Sequence, residues 1–182
     1  MTLGQVIPQA AEADMDAYAA GLAAARDLET VQNIVTHAAR ELVHAAGATI
    51  VLRDGDQCFY ADEDAIAPLW KGQRFPIREC VSGWAMLNRH SATVPDISTD
   101  ERVPLDVYRP TFVRSLVMVP VGLDEPIGAI GAYWAVKRRD LGDVQVHELE
   151  RLADLAARAI AGIGLENAAW APTFRLPQQR RR

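Results

Sequence analysis

At 182 residues, 49% of them hydrophobic and 24% charged, the chain has the size and composition of one domain that buries about 70% of its unfolded surface, so neither a metal nor a disulfide is needed to hold it. A formal net charge of −5 argues against a general nucleic-acid surface, and apolar runs far shorter than the roughly 18 residues of a membrane span exclude a transmembrane helix. The first residues, MTLGQVIPQAAEADMD, carry neither a basic leader nor a long apolar core, so the expected compartment is the cytoplasm, with Cys58 and Cys80 reduced and outside any metal-ligand spacing.

From Met15 to about Ala46 the spacing predicts helix. Asp27 caps a segment whose Val31, Ile34, Val35, Ala38 and Leu42 step by three and four into one apolar stripe, and Tyr18, Leu22 and Ala25 continue that stripe upstream across a bend expected at Gly21. His37 and His44 fall on one side of this helix with no partnering carboxylate or cysteine in the pattern, and they read as rim residues rather than metal ligands. Gly47 ends the helix, Ala48 to Arg53 reads as a strand, Asp54-Gly55 as a hairpin turn and Gln57 to Ala61 as the return strand. A short acidic stretch, Asp62 to Asp64, follows, and then a helical turn expected through Ala65 to Leu69 and ended by Trp70. Beyond it come a short edge piece, Arg74 to Ile77, containing Pro76, a short helix from Ser82 to Leu87, and a brief extended piece from Ala92 to Pro95. The segment Asp96 to Thr111 is rich in Asp, Ser, Thr and Pro and reads as a lid or pocket wall.

The stretch Phe112 to Val136 organises the rest. Its two apolar runs, Val113 to Val121 and Pro126 to Val136, flank Gly122-Leu123-Asp124-Glu125 and predict two adjacent strands buried on both faces. Alternation puts Ser115, Val117 and Val119 on one side and Leu116 and Met118 on the other. In the second run Ala129, Gly131 and Tyr133 share a face opposite Ile130 and Trp134. The small residues beside Tyr133 make either a concave floor or a place for close helix packing. After a polar loop, Asp143 opens a helix to about Asn167, where Leu149, Leu152, Ala156, Ala159 and Ile163 form a heptad seam beside Val146, Ala153 and Ile160. This apolar excess is read as a self-association face of a homodimer, with burial inside one subunit as the rival reading.

RFPIRECVSGWAMLNR at Arg74 to Arg89, VPDIS at Val94 to Ser98, YRPTFVRSLVMVPV at Tyr108 to Val121 and PIGAIGAYWA at Pro126 to Ala135 together resemble the GAF domain family of small-molecule sensors, in particular the GAF domains of bacterial sensor histidine kinases. The resemblance covers residues 25–168, leaving 1–24 as a helical extension and 169–182 as a flexible basic tail. It implies an α+β fold of three α/β/α layers: a central antiparallel sheet, the terminal helices on one face, and short helices and loops enclosing a ligand of unknown identity on the other. Carried onto this chain, the pocket floor is Ser115, Val117 and Tyr133, the walls are Trp84, Tyr108 and Phe112, and Arg114 stands at the mouth, pairing with Asp96 or Asp100 or taking an anionic ligand. The implied function is non-catalytic sensing, passed through the terminal helices of a homodimer to a downstream kinase or regulator domain. A ligand-free dimerisation or scaffold module is the alternative.

Three more demanding chemistries are set aside on the residues. Covalent bilin attachment needs a cysteine near Tyr108, and neither Cys58 nor Cys80 lies there. Free methionine-R-sulfoxide reductases of the family carry a nucleophilic cysteine where this chain has Ser82, and Cys80 reads as a thiol without a resolving partner. His147-Glu148 echoes a phosphoacceptor helix, yet the sequence has no ATP-binding motif.

Overall fold

The computed structural model describes residues 9–164. The helical stripe at the start divides in two: α1 spans Gln9–Ala24 and α2 spans Leu28–Leu42. The break falls at residues 25–27 rather than at Gly21, because Asp27 in extended conformation accepts the Thr30 N–H at 2.7 Å and starts a new helix. Then follow β1 (Gly47–Asp54), β2 (Gln57–Ala65), β3 (Arg74–Pro76), α3 (Val81–Asn88), β4 (Ala92–Val94), a 3₁₀ turn at Ile97–Thr99, α4 (Leu105–Tyr108), β5 (Ser115–Val121), β6 (Gly128–Trp134) and α5 (Asp143–Ile163). The end of the long helix expected near Asn167 and the tail from 169 lie outside the described residues.

All six strands form one antiparallel sheet in the order β3-β2-β1-β6-β5-β4. β5 and β6 are buried at every position, as two-sided apolar runs require. On one face α1, α2 and α5 cover Val117, Val119, Val121, Ile130, Ala132 and Trp134, and on the other α3, α4 and the connecting loops cover Leu116, Met118, Ala129 and Tyr133. The fold is therefore α+β in three layers, with both outer helices on the same side of the sheet. Among the described residues no helix is long and apolar enough to cross a membrane.

β2 runs four residues further than the sequence reading allowed, taking in the acidic stretch, and the helical turn expected through Ala65 to Leu69 is the end of the strand followed by irregular chain instead. A bulge at Ile50/Val51 adjusts the register, and each carboxylate of the extension finds a donor. Asp62 takes Lys71 Nζ at 2.6 Å, Asp64 takes Arg40 Nη1 at 2.6 Å and His37 Nδ1 at 3.2 Å, and Glu63 turns to the loop described below.

The first part of the heptad seam of α5 is covered inside the subunit, as the rival reading had it. Leu149, Leu152 and Ala156 are completely buried within the subunit, in the same core as Met15 and Leu22 of α1, and Ala159 and Ile163 pack at its edge. The helix covers the sheet, α2 and α1 at once, and these contacts take up Leu149, Leu152 and Ala156, while Ala159, Ile160 and Ile163 stay partly exposed.

Candidate functional site

The lid-side face of the sheet carries an aromatic chamber. Tyr133 rises from β6, Tyr60 from β2, Trp70 from the β2–β3 loop and Tyr108 from α4, all but closed to solvent. Trp70 is the hub: its ring centroid lies 4.7 Å from that of Tyr108 and 5.5 Å from those of Tyr60 and Tyr133. Its indole Nε1 donates to the carbonyl of Val107 at 3.4 Å and so holds α4 from beneath.

What fixes Trp70 is a carboxylate. Glu63 accepts the backbone N–H groups of Leu69, Trp70 and Lys71 at 2.9, 2.8 and 2.9 Å. Three amides converging on one charged acceptor form a tight, charge-assisted clasp, which sets the loop that carries the indole. Neither Trp70 nor Glu63 stands among the residues chosen from sequence. The acidic run in front of a lone tryptophan was the only signal, and it reads equally well as a solvated loop.

Polar groups converge inside the aromatic wall. Tyr133 Oη bonds Thr49 Oγ1 at 2.9 Å, Tyr60 Oη lies 3.3 Å from Ser82 Oγ, and Ser82 Oγ lies 3.3 Å from Cys80 Sγ. Burial pushes the phenols of Tyr60, Tyr108 and Tyr133 above their ordinary value, so all three stay protonated hydrogen-bonding groups. The hydroxyl of Tyr108 is buried and has no hydrogen-bond partner.

Of the residues expected to line a pocket, Tyr108 and Tyr133 do line the chamber. Ser115 and Val117 do not. β5 pairs Leu116 with Tyr133 and Ser115 with Trp134, so Leu116 and Met118 face the chamber while Val117 enters the helix-side core. Ser115 donates to the carbonyl of Val136 at 2.7 Å instead. Trp84 and Phe112 are half-buried at the rim, Trp84 beneath the guanidinium of Arg102 at 4.7 Å and Phe112 beside Gly47 and Ala65. The small-residue floor is occupied by the chain itself: a Cβ on Gly131 would meet Tyr133 Oη at 2.4 Å, so the phenol lies back over the glycine.

Above the lid, Asp96, Ile97, Ser98, Leu105, Arg109, Arg114 and Lys137 line an open groove of about 340 Å³. Arg114 pairs with neither Asp96 nor Asp100; its Nη1 donates to the carbonyls of Thr111 and Val113 at 3.1 and 2.6 Å. Asp96 instead caps the 3₁₀ turn through Ser98 N at 2.9 Å and binds Lys137 Nζ at 2.7 Å, and Asp100 pairs with Arg102 at 2.5 Å. The Lys137 contact and the Ser98 bonds hold the Asp96 carboxyl down to about 2. A carboxylate depressed in the folded state stabilises it above the unfolded value and loses that contribution as pH falls through the folded one. The protection factors of residues 96–99 in hydrogen exchange, taken against the intrinsic rate at each pH, are therefore expected to fall between about pH 4 and pH 2, and Asp96→Asn should show the lower protection already at pH 7. Equal protection in the variant at pH 7 would remove Asp96 as the anchor of the lid.

Among the described residues no group of three His, Cys, Asp or Glu side chains is placed to hold a metal ion. In fold, the chain is similar to the GAF domain of an Acinetobacter phosphoenolpyruvate-protein phosphotransferase, with 14% identity, 86% of this chain and 96% of that chain covered, and a TM-score of 0.73. It is similar to the free methionine-R-sulfoxide reductase of Neisseria meningitidis solved with its substrate, at 18% identity, 89% and 96% coverage and a TM-score of 0.72. A methyl-accepting chemotaxis protein fragment, residues 122 to 287, matches at 23% identity, 83% and 99% coverage and a TM-score of 0.70. No curated protein matches the sequence. The family model described as GAF domain matches residues 25–161, from the Asp27-capped helix through the helix that closes the sheet; the chain belongs to the GAF domain family.

Proposed function

We propose that this GAF domain is the cytoplasmic sensory part of a signal-transduction protein, a two-component histidine kinase or a related regulator, that binds a small molecule between sheet and lid without catalysis of its own. The observation that carries this reading is the Tyr108 hydroxyl, buried and unpartnered among Trp70, Tyr133 and Tyr60. Such a group costs about 1–3 kcal/mol, and a ligand's polar atom relieves it. The piece that must move to admit one is α4, a single helical turn. Aromatic walls, neutral phenols and the guanidinium of Arg114 in the groove above favour a flat organic molecule bearing an anionic group.

The response would travel through β6. Tyr133 faces the chamber, while its neighbour Trp134 faces the helices and donates Nε1 to the carbonyl of His44 at 3.1 Å. A population shift at the lid thus reaches α2 and, through the shared core, the terminal helices α1 and α5, a homodimer partner and a downstream kinase or regulator.

The fullness of the chamber favours a second reading, a scaffold or dimerisation module that takes no ligand. A reductase of the methionine-sulfoxide type is a third, against which stands Ser82 in the position where such enzymes carry cysteine. A thermal-shift panel of nucleotides, tetrapyrroles, amino acids and aromatic acids separates the first two: a ligand at 100 times its Kd adds about 2.7 kcal/mol of stability. Tyr108→Phe is expected to stabilise the ligand-free domain by about 1 kcal/mol in chemical unfolding and to reduce the gain from any ligand that binds. A panel with no hit, together with an unchanged midpoint for Tyr108→Phe, would favour the scaffold.

A further inference from the structure

The open groove outside the lid carries an excess of positive charge. Arg109, Arg114 and Lys137 line it against one carboxylate, Asp96. Both oxygens of that carboxylate are already taken: Oδ1 accepts Ser98 N and Ser98 Oγ at 2.9 and 2.6 Å, and Oδ2 meets Lys137 Nζ at 2.7 Å. Arg109 pairs with Asp106 at 3.0 Å, but the two side chains are 71% and 94% exposed, and water screens most of that attraction. Arg114 pairs with no carboxylate among the described residues. Its two side-chain hydrogen bonds leave from Nη1 to backbone carbonyls, so Nη2 and Nε keep their donors for another acceptor.

The backbone fixes where these cations stand. The Arg114 N–H donates to the carbonyl of Trp134 at 2.8 Å and the Arg114 carbonyl accepts the Ile97 N–H at 3.0 Å, which pins the residue between the end of β6 and the 3₁₀ turn. Lys137 follows β6, next to Arg138, whose N–H donates to the carbonyl of Pro95 at 3.0 Å. Arg109 caps α4, its N–H donating to the Leu105 carbonyl at 2.8 Å. Ile97 and Leu105 add an apolar side to the groove, and its volume of about 340 Å³ suits a small organic molecule. A carboxylate offers two oxygens, enough for one guanidinium fork. A phosphoryl group offers three around a tetrahedral phosphorus, enough for two guanidinium groups and an ammonium together, and it carries close to two negative charges at pH 7.

We propose that this groove binds a small phosphomonoester, its phosphoryl group held by Arg109, Arg114 and Lys137 and its organic part laid against Ile97 and Leu105. The Lys137 ammonium has three donors, so it keeps Asp96 while it takes a phosphoryl oxygen. Binding acts on the lid, because Arg109 belongs to α4 whereas Arg114 and Lys137 belong to the chain at the ends of β5 and β6. The bound dianion ties the single turn of α4 to the sheet from outside, one residue from Tyr108. The groove site shares Arg114 with the reading proposed above but not the chamber, and it stands whether or not the chamber takes a ligand.

The test titrates phenyl phosphate into the full chain at low salt by calorimetry and follows hydrogen exchange of residues 105–109 with and without it. One saturable site is expected, with an affinity that falls as salt is raised, higher protection of α4 in the bound state, and no binding of phenol. Arg114→Gln and Arg109→Gln should each weaken binding about tenfold, the loss of one charged hydrogen-bonding partner. Arg109 is exposed enough for its variant to keep the fold, so that arm does not depend on the loop that Arg114 also holds. Tyr108→Phe should bind phenyl phosphate as the unmutated protein does, which separates the groove from the chamber. No saturable binding, an unchanged affinity in Arg109→Gln, or binding lost in Tyr108→Phe would each overturn the proposal; the last would place the ligand in the chamber instead, and the first would leave the chamber reading to its own ligand panel.

Discussion

Trp70→Ala is expected to cost about 3–5 kcal/mol, because it empties the centre of the aromatic chamber rather than trimming its edge. The indole is 4% exposed, touches the rings of Tyr60, Tyr108 and Tyr133, and is the link by which the β2–β3 loop holds α4. A void bounded by three phenols and closed by a lid resembles the engineered cavities that take up small aromatic molecules. Added indole should therefore recover part of the lost stability in Trp70→Ala and none in the unmutated protein, measured by urea unfolding with and without the additive. A loss below about 1 kcal/mol would mean that the lid does not depend on Trp70. Full loss without rescue would mean that the chamber collapses when vacated, which weakens the case for a ligand there.

The parts of this fold written locally in the chain were legible. The Asp27 cap, the Asp54-Gly55 turn and the unbroken apolar character of β5 and β6 depend on neighbours in sequence, and each lies where its residues put it. What failed depended on partners far along the chain. Alternation separated Ser115 and Val117 from Leu116 and Met118 correctly, but which set shares a face with Tyr133 is decided by the β5–β6 register. One residue of slip exchanges the two sets. The seam on α5 was real, yet a heptad pattern does not say whether the partner is a second subunit or α1 of the same chain. Glu63 illustrates the same limit: a carboxylate in an acidic run announces a loop until three amides are found pointing at it.

The two sides of the sheet also differ in what they can tolerate. The helix side is closed by aliphatic packing between long helices, where change spreads over many contacts. The chamber side is closed by short pieces, α3 and α4, held at a few points: the Glu63 clasp, the Trp70 contact with Val107 and the seat of α3 against the strand-side loop. Local opening should therefore begin on the chamber side, which is also where a sensor has to open.

That seat makes Gly83→Ala the sharpest test of how α3 is held. Alanine inside a helix ordinarily stabilises by about 1 kcal/mol over glycine, so propensity alone predicts a gain. Here the added Cβ would stand 1.7 Å from the carbonyl oxygen of Ile77 and 2.5 Å from its carbon, both backbone atoms that no rotamer change can move aside. The helix must shift as a body, carrying Cys80, Ser82 and Trp84 with it, and the expected result is a loss of about 3 kcal/mol in chemical unfolding. Gly162→Ala in α5 supplies the control, since nothing lies within 4 Å of its added methyl, and there a gain of up to about 1 kcal/mol is expected. A stabilised Gly83→Ala variant would show that α3 does not rest on the Ile77 carbonyl, and the seating of the Cys80 thiol would have to be redrawn with it.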